Sequence, residues 1–179
     1  VEAIAQASPR LEAMCFGSGD FAASTGARST TIGGLNPDYG VLSEPGADGR
    51  RDYFQLDPWH AVQARIVAAC RAYGLRPIDG PYSDFQDADG FRASSLRAAA
   101  LGFEGRMAIH PAQLEAINAA FSPAPEEIAR ARRIVEAMAQ AARAGRGAVT
   151  LDGRMIDIAN IRMAQRLLAK ADQIAAARP

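Results

Sequence analysis

The stretch LEAMCFGSGD, residues 11–20, indicates the fold class of this chain. Its apolar first part is typical of a short strand that is buried on both faces, and it ends in the turn GSGD, residues 17–20. Small residues follow as far as Ser24, which predicts a helix that starts at Phe21. A strand, a glycine turn and a helix therefore succeed one another directly.

Two further strands of this kind are predicted, LRPIDG (residues 75–80) and GRMAIH (residues 105–110). A helix precedes each of them, one capped by Asp57 and the other by Asp87, because aspartate is a favoured N-cap. Strand, loop and helix in repetition predict a parallel α/β architecture. Three strands do not close a barrel.

The rest of the chain divides into a long loop and a helical extension. Residues 28–56 are rich in Gly, Pro, Asp and Asn, and a loop of this length is more often functional than idle. From residue 122 the pattern changes to a long helix, a short strand over 148–151 and a final helix that Asp157 begins. We therefore expect a strand-bearing part, residues 1–121, and a helical part, residues 122–179.

The composition excludes several classes of partner. The 179 residues are 49% hydrophobic and 22% charged, and their 20 basic and 20 acidic residues cancel to a formal charge of zero. A basic surface that attracts nucleic acid or an anionic membrane is therefore not expected. Cys15 and Cys70 both lie in apolar segments, so we expect two buried free thiols and a cytoplasmic location.

Asp20 is the first candidate for chemistry, because it follows two glycines at a strand end. A carboxylate there can hold a hard cation such as Mg²⁺, while nearby backbone N–H groups bind an anionic oxygen. The alternative is that Asp20 is the N-cap of the helix that starts at Phe21. The two roles are compatible, and the residues alone do not choose between them.

Three other polar residues have a chemical and a structural interpretation. Asp79 and Asp84 flank a turn, where they either orient a substrate or only form the turn. His110 ends a strand before a proline and is either a base or ligand, or a structural side chain. Asp157 by itself is best explained as a helix cap. The turn GSG lacks the third glycine of a dinucleotide site, and the two histidines lie too far apart in sequence for a zinc pattern.

Taken together, the motifs resemble the HpcH/HpaI aldolase and citrate lyase β-subunit-like family. The resemblance is nearest to its malyl-CoA, methylmalyl-CoA and citramalyl-CoA lyase branch. The motifs that carry it occur in order over nearly the whole chain: FGSGDFAAS (16–24), GGLNPDY (33–39), DPWH (57–60), DGPYSDF (79–85), AIHPAQ (108–113), FSP (121–123) and LDGRMID (151–157).

The resemblance implies a fold, a reaction and partners. Residues 1–121 would be the last strands of a (β/α)₈ barrel of the TIM type, whose N-terminal strands this chain lacks, and residues 122–179 a helical lid. The activity implied is Mg²⁺-dependent cleavage of a 3-hydroxyacyl-CoA thioester into an acyl-CoA and an α-keto acid such as glyoxylate or pyruvate. The lid would act on a neighbouring subunit of a homo-oligomer, a trimer or a hexamer. Malyl-CoA hydrolysis by a thioesterase, and a non-catalytic CoA-binding fragment, are the alternatives.

The resemblance also assigns roles to residues. Asp20 matches the metal-binding aspartate, and Asp157 matches an acid that would protonate the departing enolate. Gly19 stands where many relatives have an acid, and the family's glutamate ligand and substrate-binding arginine have no match in this chain. The residues expected to contact substrate are Ser18, Gly19 and Phe21, the last two through their N–H groups, with Asp79, His110 and Pro111.

Overall fold

The apolar run in residues 11–16 forms one strand of a parallel sheet in the structure, a computed structural model that describes residues 1–29 and 31–177. The chain divides into two compact units, Val1–Phe121 and Ser122–Pro179. The elements of the first unit are α1 (Glu2–Ala5), β1 (Ala13–Cys15), α2 (Ser18–Thr25), β2 (Gly40–Leu42), β3 (Tyr53–Gln55), α3 (His60–Ala72), β4 (Arg76–Asp79), α4 (Ala88–Leu101), β5 (Gly105–Arg106), a 3₁₀ turn (Pro111–Gln113) and α5 (Leu114–Phe121).

Strand β4 lies at the centre of this sheet, with β1 on one side and β5 on the other, and both pairs are parallel. Hydrogen bonds continue one residue beyond the strands, from the Phe16 N–H to the Ile78 carbonyl (3.1 Å) and from the Met107 N–H to the Asp79 carbonyl (3.0 Å). The predicted α/β class with a parallel sheet is therefore confirmed. The carboxyl ends of three neighbouring strands lie at one edge, where ligands bind in folds of this class.

The core of the first unit consists of apolar side chains from the sheet and from the helices around it. Cys70 in α3 is completely buried, and Phe16 and Phe103 are each 3% exposed. Burial of such side chains contributes about 1.5–3 kcal/mol each. The buried members of this core are Ala5, Phe16, Ile66, Cys70, Leu75, Ala98, Phe103 and Phe121.

Two sequence expectations, one about Cys15 and one about residues 28–56, were wrong. Cys15 is exposed, because β1 is an edge strand in the described sheet, so only Cys70 is a buried thiol. The segment 28–56, whose residue 30 lies outside the described residues, is not an irregular loop throughout. It contains an antiparallel hairpin, in which Val41 pairs with Phe54.

Two element boundaries also differ from the prediction. Helix α3 begins at His60 rather than after Asp57, whose Oδ1 accepts a hydrogen bond from the Trp59 N–H (2.9 Å). Strand β5 ends at Arg106 because its partner β4 ends at Asp79, so His110 is not on a strand. The Asp87 cap of α4 is confirmed, since its Oδ1 accepts from the Gly90 N–H (2.9 Å).

The second unit is a pair of helices with a hairpin between them. Helices α6 (Pro125–Arg143) and α7 (Ile158–Ala176) pack on each other, and β6 (Val149–Leu151) pairs antiparallel with β7 (Arg154–Ile156). Its buried apolar residues are Ala131, Met138, Ala141, Ile156 and Ala164. None of the helices in the described part of the chain combines the length and the apolar character that crossing a bilayer requires.

Candidate functional site

Asp20 lies in the first turn of α2, at the carboxyl end of β1. The helix begins at Ser18 with Gly17 as its N-cap, so the alternative that Asp20 is the cap was wrong. The Asp20 carboxylate folds back over Gly17, and a Cβ on that glycine would lie 2.8 Å from Asp20 Oδ2. The glycine therefore makes room for the carboxylate at the point where the chain leaves the sheet.

Ser18 supplies a second oxygen at this helix start. Ser18 is 4% exposed, and its Oγ has no hydrogen-bond partner within the described residues. A buried hydroxyl without a partner costs about 1–3 kcal/mol, so it indicates a position where a ligand or water completes the bonding. Gly19 faces the neighbouring loop, since a Cβ on it would lie 3.0 Å from Ile32 Cδ1.

Phe21 does not offer the free N–H that the sequence led us to expect. Its N–H donates to the Gly17 carbonyl (2.9 Å), which is the first hydrogen bond inside α2. Its ring packs edge-on against Trp59, with 5.9 Å between ring centroids. Phe21 therefore fixes the helix on the core, and the N–H groups free of intrahelical bonds precede it.

A cavity of about 430 Å³ opens beside Asp20. Ile32, Pro81 and Met107, from segments outside α2, also line it. Ile32 is held in place by Ser83, whose Oγ accepts from the Ile32 N–H (3.2 Å) and whose N–H donates to the Ile32 carbonyl (2.8 Å). The described residues that line the cavity are Gly17, Ser18, Gly19, Asp20, Ala22, Ala23, Ala27, Ser29, Thr31, Ile32, Pro81 and Met107.

Asp79 lies beneath this edge as part of a buried polar network. It is 4% exposed; its Oδ1 accepts from Gln63 Nε2 (3.0 Å), and its Oδ2 lies 3.5 Å from Arg106 Nη2. Burial raises the pKa of the Asp79 carboxyl against the opposing charge of Arg106, and burial lowers the pKa of the Arg106 guanidinium. Arg106 Nη2 also donates to the Gly80 carbonyl (3.2 Å), so the network supports the loop that carries Pro81.

The turn interpretation holds for Asp84, whose Oδ1 accepts from the Gln86 N–H (3.0 Å) and the Asp87 N–H (3.3 Å). His110 is exposed and caps the 3₁₀ turn that begins at Pro111, with its Nδ1 accepting from the Ala112 N–H (3.2 Å). Its ring stacks on Phe85 at a centroid distance of 4.7 Å. The structure therefore places His110 and Pro111 on the loop after β5.

Asp157 lies in the second unit, between β7 and α7. Its Oδ1 accepts from the N–H groups of Ala159 (2.9 Å) and Asn160 (3.3 Å). Asn160 Oδ1 in turn accepts from the Asp157 N–H (3.0 Å), which completes a reciprocal capping box. The predicted cap is confirmed.

The residues around Asp20 fit part of a magnesium site. The Asp20 carboxylate and the Ser18 hydroxyl, which lacks a partner among the described residues, are oxygen donors of the kind Mg²⁺ prefers. Within residues 1–29 and 31–177, no three His, Cys, Asp or Glu side chains are grouped to hold a metal. Further oxygen ligands would have to come from substrate, water or protein outside that range.

Sequence reasoning missed the residues that support the site. Arg106 was detectable, since a charged residue within the otherwise apolar run GRMAIH is a signal of a buried pair. No local pattern indicated that Ile32 is hydrogen-bonded to Ser83, because the two residues are 51 positions apart in the sequence.

Comparison with known proteins identifies relatives over nearly the whole chain. A family model described as HpcH/HpaI aldolase/citrate lyase matches residues 1–111. An L-malyl-CoA/β-methylmalyl-CoA lyase of Cereibacter sphaeroides (strain ATCC 17025) is 47% identical over 98% of this chain and 54% of its own length. A (3S)-malyl-CoA thioesterase of Cereibacter sphaeroides (strain ATCC 17023) is 37% identical over 96% of this chain and 52% of its own.

A solved structure shares the fold. Protein CitE from Mycobacterium tuberculosis, in complex with magnesium, acetoacetate and coenzyme A, matches with a TM-score of 0.70 and 29% identity. The match covers 96% of this chain and 55% of that chain. This chain thus spans about half the length of the relatives it matches.

Proposed function

Since the chain belongs to the HpcH/HpaI aldolase/citrate lyase family, we propose that it carries part of the active site of a Mg²⁺-dependent carbon–carbon lyase. The substrate would be a 3-hydroxyacyl-CoA thioester of the malyl-, methylmalyl- or citramalyl-CoA type. The observation that carries this proposal is that Asp20 and Ser18, both in the first turn of α2, line one cavity where the parallel strands end.

The cavity side chains have defined tasks in this reaction. Asp20 would be a ligand of Mg²⁺, which when bound stabilises negative charge on the oxygens of the α-keto acid. The Ser18 hydroxyl oxygen would be available to the same ion, and the N–H groups of Ser18 and Gly19 would donate to the keto-acid oxygens. Phe21 takes no part as a donor, because its N–H is bonded to Gly17.

The bond changes balance without an oxidant. The substrate hydroxyl gives its proton to solvent water and becomes the keto group, and the Cα–Cβ electron pair passes to the thioester fragment. That fragment leaves as the enolate of an acyl-CoA and takes up a proton. We assign this proton to Asp157, which would act on the cavity of a neighbouring subunit while it also caps α7.

The same premise extends to the architecture and the partners. Residues 1–121 would be the C-terminal part of a (β/α)₈ barrel and residues 122–179 its lid, in a trimer or hexamer. His110 and Pro111 would contact the CoA moiety, and Asp79 would support the site from beneath. The two free thiols, Cys15 and Cys70, fit a cytoplasmic enzyme.

A product assay tests the reaction. Malyl-, β-methylmalyl- and citramalyl-CoA are offered with Mg²⁺ to the full-length protein that carries this chain, and keto acid and free thiol are both measured. We expect keto acid without free thiol. Free thiol without keto acid would support the thioesterase that one relative is named for, and neither product would support a non-catalytic CoA-binding module.

The Asp20→Asn variant tests the site. It should lose at least about tenfold in kcat and should bind Mg²⁺ more weakly in a calorimetric titration, because a charged ligand is removed. Asp48→Asn, at an exposed position in the 43–52 loop, is the matched control and should keep both values. A smaller loss at position 20 with unchanged Mg²⁺ affinity would exclude Asp20 as the ligand.

A further inference from the structure

We propose that Gln113 is a positioning residue that holds the Ile32, Pro81 and Met107 lining of the Asp20 cavity through its buried side-chain amide. Gln113 ends the 3₁₀ turn and is 2% exposed. Its Nε2 donates to the Tyr82 carbonyl (2.9 Å), and its Oε1 accepts from the Ile109 N–H (2.9 Å). Both ends of the amide are thus bound to backbone, in the loop after β4 and in the loop after β5.

The two loops need this link because the sheet ends just before them. The Met107 N–H to Asp79 carbonyl bond is the final rung between β4 and β5, and the chain then leaves the sheet on both sides. Beyond it, the stacking of Phe85 on the exposed His110 ring also joins the loops, at their solvent side. Gln113 joins them from a side chain that is 2% exposed, through a buried bond to Tyr82 and a part-buried bond to Ile109, where water competes less.

Tyr82 is the residue through which the amide reaches the cavity. The residue before it, Pro81, lines the cavity, and the residue after it, Ser83, holds Ile32 by two hydrogen bonds. On the other side, Ile109 follows closely after Met107, which also lines the cavity. One side chain therefore fixes the backbone that sets the positions of Pro81, Ile32 and Met107.

Loss of the amide would release two backbone groups at once. With an apolar side chain at position 113, the Tyr82 carbonyl and the Ile109 N–H would lose the partners described above. The buried Tyr82 carbonyl would then move toward water, and the part-buried Ile109 N–H would bond to water, so the loops would separate. The small acid that occupies the cavity under the proposed function would be held less closely, and this inference depends on that function.

Two variants at position 113 separate the bonds. Gln113→Met removes both bonds. Gln113→Glu keeps the oxygen that accepts from the Ile109 N–H, but a carboxylate oxygen replaces the N–H that donates to the Tyr82 carbonyl. In the full-length protein with Mg²⁺, we expect each variant to raise the KM for the keto acid about tenfold in the condensation direction, with kcat changed less than about threefold. The Ile109 amide should exchange with deuterium faster in Gln113→Met than in Gln113→Glu.

Leu75→Ala is the matched control for lost stability. Leu75 is 6% exposed in the core and precedes β4 at the end opposite to the cavity. The Leu75→Ala substitution should lower Tm and the concentration of active protein but leave the KM unchanged, because Leu75 has only a structural role.

The outcomes are distinguishable. No keto-acid chemistry in the wild-type protein overturns the proposed function, and this inference falls with it. Normal activity with an unchanged KM in both Gln113 variants overturns the inference alone. A KM that rises equally in Leu75→Ala also overturns it.

Discussion

Asp79 and Arg106 are the charged pair on which the edge of the sheet is built. Their side chains are 5% and 1% exposed. Burial raises the pKa of Asp79 and lowers the pKa of Arg106, because it outweighs the attraction between the two charges. Such a pair contributes little net stability, but the loss of one partner leaves the other buried and unpaired. Its value here is geometric, since Arg106 also binds the Gly80 carbonyl and the hydroxyls of Ser94 and Ser95.

This pair gives a pH dependence with a defined sign. The pKa of Asp79 is raised in the folded protein, so the folded state binds more protons than the unfolded state between the ordinary carboxyl pKa, about 3.9, and the raised value. The free energy of unfolding therefore falls as the pH rises through this window. In Asp79→Asn this component is absent, so the stability of the wild type relative to the variant should decline from acid to neutral pH. Urea unfolding at a series of pH values measures the decline, and a constant difference would contradict it.

At the scale of elements, substitutions at Asp157 distinguish its role as a helix cap from its proposed role as an acid. Asparagine caps a helix nearly as well as aspartate but cannot donate a carboxyl proton, whereas alanine does neither. Asp157→Ala should lower the free energy of unfolding by about 1 kcal/mol, and Asp157→Asn by only a few tenths. Both variants should lose lyase activity if Asp157 is the acid. Activity in Asp157→Asn close to the wild-type value would leave Asp157 as a cap alone.

The approach of β1 to β4 depends on a glycine. A Cβ on Gly80 would lie 2.1 Å from the Phe16 carbonyl oxygen, which is backbone and cannot turn aside. Gly80→Ala should therefore cost about 2 kcal/mol or more of unfolding free energy and displace the start of α2. Gly147→Ala is the control, since a Cβ there meets nothing within 4 Å, and a change below about 0.5 kcal/mol is expected. Equal effects of the two substitutions in thermal unfolding would refute the close approach.

Elements that depend on local chemistry could be predicted from the sequence. Asp87 and Asp157 begin helices because a short carboxylate reaches N–H groups two or three residues ahead. Gly102 ends helix α4 because glycine readily adopts the positive φ, here 114°, at a helix C-terminus. The end of β5 could not be predicted, since a strand extends only as far as its partner does. The 40–55 hairpin was also not predicted. Val41 and Phe54 are exposed there, and the sequence shows no alternation of apolar and polar residues that would indicate strands.

The candidate site could be predicted only where one residue type carries the chemistry. The carboxylate of Asp20 after two glycines was visible in the sequence. The bonds that shape its cavity join Ile32 to Ser83 and Gln113 to Tyr82, which are separated by 51 and 31 positions. Contacts at that separation are made by the packing of the sheet and its helices, which a single sequence does not encode in any local pattern.

At the scale of the whole molecule, the proposed lid would make each active site shared between two subunits. Each site would need Asp20 from one chain and Asp157 from another. Asp20→Asn and Asp157→Asn should each be inactive alone, while co-refolding them in equal amounts should restore about a quarter of the wild-type activity, the fraction of sites with both residues intact. Product assays on the mixture measure this. No recovery in a mixture shown by sedimentation to have reassembled would place both residues in the site of a single chain.

The aromatic contacts around Trp59 give this protein an internal optical signal. Trp59 is the single tryptophan of the chain, and its ring lies against Phe21 and Phe16, at 5.9 Å and 6.3 Å between centroids. Phe21 directly follows Asp20 in α2. A ligand that shifts the first turn of that helix should change the surroundings of the indole, so Trp59 emission can be used to test occupancy at Asp20 without a label and without turnover.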